Sequence, residues 1–149
     1  MKLEEEIKQK KFRNEYHKLA VNIIYTHGWL LNHQSAFLKK HGLTGAQFNI
    51  LRILRGQHPD PASINLLKER MLDKMSDASR LVERLLQKGL ADRKICPEDR
   101  RRVEVAITEK GLNLLKEIDS HDVEADKIFE KLSTEEAKLL NELLDKLRG

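Results

Sequence analysis

The sequence predicts a mainly α-helical chain carrying one small β-hairpin. Three observations predict it. Seven glycines and three prolines in 149 residues leave long unbroken stretches, and the strong helix formers Leu, Lys and Glu are abundant. Apolar residues recur at helical spacing between cap signals along most of the chain. One short run, Val103-Glu104-Val105-Ala106-Ile107, alternates with period two instead. A chain of this length fits one compact core.

The first long helix is expected over 10–40. Tyr16, Ile23, Leu30 and Phe37 recur every seven residues, with Ile24, Leu31 and Leu38 beside them, and Gly42 supplies the stop. Ala20, His27, Gln34 and His41 form a parallel row at the same spacing. Thr44-Gly45-Ala46-Gln47 is a capping box, with Leu43 and Phe48 at the two positions of a hydrophobic staple. That helix runs to Gly56, and residues 56–62 form a loop with two prolines. Ser63 caps a short helix holding Ile64, Leu66 and Leu67, and a break falls near Leu72. Asp73 is expected to cap a helix over 74–88 with Ala78, Leu81, Val82, Leu85 and Leu86 on its buried face, ended by Gly89. Residues 90–95 and 102–107 are the two strands of a hairpin, the only strand candidates, joined through Cys96-Pro97-Glu98-Asp99-Arg100-Arg101. Thr108 caps a helix over 109–131. Ser133-Thr134-Glu135-Glu136 is a second capping box, opening a last helix with Ala137, Leu140, Leu143, Leu144 and Leu147.

Short helix, break, helix, then a hairpin with a charged tip is the order of a helix-turn-helix followed by a wing. The formal net charge is +4, and residues 93–102 concentrate five Lys/Arg against two acids, which points to a polyanion. On the outer face of the second helix, Lys74, Ser76, Asp77, Ser79, Arg80 and Arg84 are polar and lie away from the leucine stripe. Ser and Arg there can reach base edges, while Lys and the helix N-terminus suit phosphate. Aromatic residues make up only 5% of the chain, too few for a protein that stacks single-stranded bases.

The run Ser79-Arg80-Leu81-Val82-Glu83-Arg84-Leu85-Leu86-Gln87-Lys88-Gly89-Leu90, then Asp99-Arg100-Arg101, then Ile107-Thr108-Glu109-Lys110-Gly111, resembles the MarR family of winged-helix transcriptional regulators. The likeness follows the element order over about 10–149 and is tight over 76–111. It implies a winged helix-turn-helix flanked by N- and C-terminal dimerisation helices. The chain then divides into a helical dimerisation region (1–42), a DNA-binding winged helix (43–110) and C-terminal dimerisation helices (111–149). By resemblance, Arg101 matches the arginine inserted into the minor groove, where a narrow groove attracts Arg. Arg100 contacts DNA beside it, and Asp99 pairs with Arg101 or a neighbouring Arg to shape the tip. The partners implied are duplex DNA with a pseudo-palindromic operator, a second copy of the chain and a small-molecule inducer. The leucine-rich stripe of the last helix argues for the homodimer independently, because one small winged helix cannot bury it.

Other residues invite other chemistry. The row of Ala20, His27, Gln34 and His41 either lines the inducer pocket or supplies satisfied polar groups at the dimer interface, and Tyr16, Trp29 and Arg52 are lesser candidates for the pocket. The six histidines never fall at the i,i+4 spacing of a helical zinc pair, so no metal ligands are assigned. Arg93, Lys94 and Arg100 around Cys96 favour a thiolate. Family members that sense oxidants usually carry their cysteine in the N-terminal helix, where this chain has none, so Cys96 reads as a bystander. There is no Gly-rich phosphate loop and no G-x-S-x-G, so no catalytic residue, enzyme activity or cofactor is expected. The charged N-terminus and the lack of a long apolar run lead to the expectation of a soluble cytoplasmic protein without a membrane partner. The sequence therefore leads to a sequence-specific duplex-DNA-binding regulator, a ligand-responsive repressor. The alternative is a helical dimeric protein-interaction module that keeps the apolar stripes but has no use for an Arg-rich tip.

Overall fold

The computed structural model describes residues 1–149 as eight α-helices and three short strands: α1 (Leu3–Glu6), α2 (Glu15–Lys39), α3 (Gly45–Gln57), β1 (Ala62–Ser63), α4 (Ile64–Arg70), α5 (Ala78–Gln87), β2 (Ala91–Ile95), β3 (Val103–Ile107), α6 (Glu109–Asp119), α7 (Asp122–Asp126) and α8 (Thr134–Arg148). A single 3₁₀ turn, Lys127–Phe129, lies between α7 and α8. The fold is a winged helix-turn-helix.

The core gathers around α3, which packs against α2, α4, α5, α6 and β3. Ile50, Leu51 and Leu54 of α3 meet Leu38, Leu67, Ala78, Val82, Leu85, Val105, Leu115 and Ile118 in one apolar cluster. The capping box at Thr44 is formed: the Gln47 amide donates to Thr44 Oγ1 at 3.2 Å, and the Thr44 amide donates to Gln47 Oε1 at 3.2 Å. Leu43 is buried and Phe48 packs against the same cluster, as a staple requires. The second box, at Ser133, is formed as well.

Gly42 and Gly89 close α2 and α5 with φ of +71° each. At both ends the next residue donates back into the last turn, Leu43 to the Leu38 carbonyl (3.2 Å) and Leu90 to the Leu85 carbonyl (3.0 Å). This is the Schellman closure, which glycine adopts without a Cβ penalty.

Four elements differ from the sequence expectations. The first long helix starts later than expected: α2 begins at Glu15, capped by Asn14, and a short helix outside the expected range, α1, packs back on it. Leu3 is buried, Glu4 pairs with Lys18, and Tyr25 donates its hydroxyl to Glu6 Oε2 at 2.9 Å. The recognition helix starts at Ala78, not at 74, and its N-cap is Asp77, not Asp73. The expected 109–131 helix breaks after Asp119, where the amide of Ser120 bonds to the carbonyls of Lys116 and Glu117. Finally, the hairpin is not alone: Ala62 and Ser63 pair antiparallel with Val105 and Glu104, giving a three-stranded sheet in the order β1-β3-β2.

The two ends of the chain remain poorly covered. Leu38 is the only buried residue of α2, and α8 has none. Tyr16, Ile24 and Leu31 on α2, and Leu139, Leu140, Leu143 and Leu147 on α8, are exposed apolar side chains. No helix is long and apolar enough to cross a membrane.

Candidate nucleic-acid interface

Three pieces of local structure build the basic surface: the turn between α4 and α5, the outer face of α5, and the wing. The turn is organised by Asp73. Its Oδ1 accepts from the Met75 amide at 3.0 Å, and its Oδ2 accepts from the Ser76 hydroxyl at 2.8 Å. This side-chain-to-backbone arrangement is an Asx turn. These two hydrogen bonds, aided by His27, hold the Asp73 carboxyl below its ordinary value. Asn49 Oδ1 receives the Leu72 amide at 3.0 Å and ties the turn to α3.

Asp77 accepts the Arg80 amide at 3.2 Å and opens α5. Ala78, fully buried, anchors the first turn against the core, while Ser79, Arg80, Glu83 and Arg84 face outward. Glu83 pairs with Arg93 at 2.9 Å, bridging α5 to β2. Neither Arg80 nor Arg84 has a carboxylate within ion-pair distance.

The wing is set by the β2–β3 register, in which Arg93 faces Val105 and Ile95 faces Val103. Residues 96–102 make the tip. Asp99 Oδ1 accepts the Arg101 amide at 3.0 Å, and the Asp99 carbonyl accepts the Arg102 amide at 3.0 Å. The sequence expectation paired Asp99 with an arginine side chain; the carboxylate here holds the backbone of Arg101 and leaves its guanidinium, and that of Arg100, outside any ion pair.

The wing and α5 share one frame. Thr108 Oγ1 donates to the Gly89 carbonyl at 2.7 Å and accepts the Gly111 amide at 3.1 Å. The Thr108 amide donates to the Leu90 carbonyl at 3.1 Å, and Lys110 Nζ donates to the Lys88 carbonyl at 2.9 Å. One threonine thus caps α6 and fixes the exit of α5. Lys88 Nζ reaches back to the Gly42 carbonyl and to Gln47 Oε1 (2.9 Å), tying the same exit to the start of α3.

Residues 41–102 match the model of the MarR family. A curated relative, the HTH-type transcriptional regulator MhqR of Bacillus subtilis (strain 168), is 30% identical over 131 residues, covering 87% of this chain and 89% of the relative. The chain belongs to the MarR family. Among solved structures, the MarR transcription factor from Planctomyces limnophilus is 28% identical with a TM-score of 0.70, over 91% of this chain and 98% of that one. A cysteine-to-serine mutant of MarR from E. coli, solved in complex with operator DNA, shares the fold with a TM-score of 0.80 at 23% identity, over 93% of this chain and 99% of that one.

Within this MarR-family fold the sequence-derived candidates separate into two groups. Ser79, Arg80, Arg84, Arg100 and Arg101 are exposed on α5 and the wing tip. Lys74, Ser76 and Asp77 are engaged in structure: Lys74 Nζ donates to the carbonyls of Lys68 (3.1 Å) and Glu69, Ser76 bonds to Asp73, and Asp77 is the helix cap. Tyr16, His27, Gln34 and Arg52 are all exposed and do not share a cavity. Tyr16 and Gln34 lie 18 positions apart on α2, about 27 Å along a helix, too far for one small ligand in a single protomer. Arg52 instead stacks over the Phe48 ring, with Cζ 5.6 Å from the centroid. Of the row Ala20, His27, Gln34 and His41, only His41, just past the end of α2, lines a cleft, an open space of about 670 Å³ shared with Gln87, Lys88, Lys110, Asn113 and Glu117.

The sequence reading missed Asp73 as the organiser of the turn, and the Glu83–Arg93 bridge. The first had a signal in the residue type alone: an Asp between two helices readily accepts from the backbone amide two positions on. The second had none, because it depends on how β2 lies against α5.

Proposed function

We propose that this chain is a transcriptional regulator that binds a pseudo-palindromic duplex as a homodimer, with α5 in the major groove and the wing in the minor groove. The observation that carries the reading is the set of cations without carboxylate partners, Arg80 and Arg84 on α5 and Arg100 and Arg101 at the tip, held on one frame by Thr108. A major groove about 12 Å wide admits one helix, and a narrow minor groove draws in arginine. Ser79 and Arg80 read base edges. Lys74, Ser76 and Asp77 serve the interface indirectly, by fixing the turn and the start of α5, and Asp99 does the same for the tip. The chain divides accordingly, with 43–110 as the DNA reader and 1–42 and 111–149 as dimerisation parts. It works in the cytoplasm, on the chromosome, and has no enzymatic role.

Regulation in this reading is repression relieved by a small molecule. A ligand shifts the half-site spacing only as far as its affinity differs between the two states. The Tyr16, His27, Gln34 and Arg52 candidates require two protomers to form a pocket.

The test is selection from a random duplex pool, followed by fluorescence anisotropy on the enriched sequence across salt concentrations. Enrichment of a two-fold-related site, with steep salt dependence and a clear margin over scrambled duplex, is expected. Failure to enrich any sequence, with a stable dimer, would favour the interaction-module alternative.

A further inference from the structure

The turn between α4 and α5 carries two of the most exposed apolar side chains in the molecule, Leu72 at 86% and Met75 at 93%. Single exposed hydrophobic residues are ordinary on protein surfaces. Met75 is different because of where its neighbours point. Lys74 on one side is turned back onto the α4 carbonyls, Ser76 on the other is bonded to Asp73, and Asp77 is spent as the cap of α5. The Met75 backbone is itself pinned through its amide to Asp73. The polar side chains at the leading edge of the recognition helix are therefore engaged in local hydrogen bonds, and the side chain left without a partner is an apolar one held on a fixed backbone.

In the chain that edge leads directly into α5, whose first turn exposes Ser79 and Arg80. In the major groove the one apolar group on a base edge is the C5 methyl of thymine. A flexible, polarisable thioether adapts well to such a contact. We propose that Met75 is a specificity-determining residue that reads a thymine methyl in each half-site. The inference rests on the DNA-binding reading above and deepens it. The Asx turn at Asp73 would then serve recognition by presenting Met75, in addition to starting α5.

The test uses the duplex enriched by the wild-type protein. Each thymine in one half-site is replaced in turn by deoxyuridine, which removes only the methyl, and affinity is measured for the wild type and for Met75→Ala. Truncating a side chain this exposed removes no buried contact, so the variant keeps its fold. One position is expected at which the methyl is worth about fourfold to the wild type, the factor for burying one methyl-sized group. Met75→Ala, which removes the contact from both half-sites, should bind the thymine duplex more weakly by about the square of that factor, show no further loss with deoxyuridine there, and keep the wild-type salt slope. Equal deoxyuridine sensitivity in both proteins, no sensitive position, or half-sites without thymine would overturn the role of Met75 while leaving DNA binding intact. Failure to enrich any duplex would overturn both readings.

Discussion

Gly111 sits against the carbonyl oxygen of Leu90, so close that a Cβ built on it would collide with that oxygen and come within 2.7 Å of Ile107 Cγ1. This contact explains the glycine three residues after Thr108. The first turn of α6 comes up against the backbone just past the recognition helix at Leu90, and Thr108 bonds in both directions there.

Gly111→Ala should therefore destabilise the fold. Both obstructing groups are fixed, one being backbone and the other the side chain of the core residue Ile107. Overpacking of this kind costs about 1–3 kcal/mol, occasionally more. Thermal unfolding should fall by several degrees, and the affinity for duplex should drop even where the protein is folded, because α5 and the wing lose their common frame. An unchanged melting temperature would mean that the α6 turn moves freely.

The wing and the recognition helix should fail in different ways. Arg101→Ala should weaken binding to enriched and scrambled duplexes alike and lower the salt slope by about one unit, as for a lost phosphate or groove contact. Arg80→Ala should cost about 1–3 kcal/mol on the enriched duplex and relax the sequence preference. Anisotropy titrations at several salt concentrations separate the two. Identical profiles for both variants would contradict the division of labour between helix and wing.

Much of this was legible in the sequence where the determining interactions are local. The caps at Thr44, Thr108 and Ser133 each close over three residues, so each is visible in the pattern of residue types. The wing followed from the period-two run and the basic tip. What was not legible depends on tertiary contact. Asp73 and Asp77 are both competent caps, and the choice falls to Asp77 because Ala78 packs at zero exposure against the core. β1 exists only because two residues after a proline loop meet β3 some forty positions later. The break at Ser120 carries no glycine or proline. For the site, residue type pointed to Lys74, Ser76 and Asp77 as contacts, whereas each is engaged locally, Lys74 on the α4 carbonyls, Ser76 on Asp73 and Asp77 on the Arg80 amide.

Asp73 also yields a pH prediction. The Ser76 hydroxyl and the Met75 amide favour its ionised form, with a smaller contribution from His27, so its folded-state pKa lies below the ordinary 3.8. A depressed carboxyl contributes stability that is fully present above the unfolded value and is lost as pH falls through the folded one. The turn should accordingly keep its geometry throughout the neutral and mildly acidic range and open only below pH 3.8. Carboxyl-carbon NMR titration should give Asp73 a midpoint under 3.8, and Ser76→Ala should move it upward. A wild-type midpoint at or above that value would mean that the Asx turn is not formed in solution.

The last prediction concerns the uncovered helices. Leu140, Leu143 and Leu147 recur along α8 at helical spacing, each about half exposed, and α2 adds Tyr16, Ile24 and Leu31. A stripe of exposed leucines along one helix marks an interface rather than a solvent face. A second copy is the economical partner, because a two-fold axis brings the same stripes together and pairs two recognition helices for two half-sites. Sedimentation should give twice the 17.3 kDa chain mass at micromolar concentration. Leu140→Glu with Leu143→Glu places two charges in that stripe. Neither residue is buried in the protomer, so the winged helix should stay folded while the dimer dissociates. Binding to a half-site should then persist at low affinity, and the advantage of the full palindrome should disappear. A double variant that remained dimeric with full palindrome affinity would place the interface elsewhere.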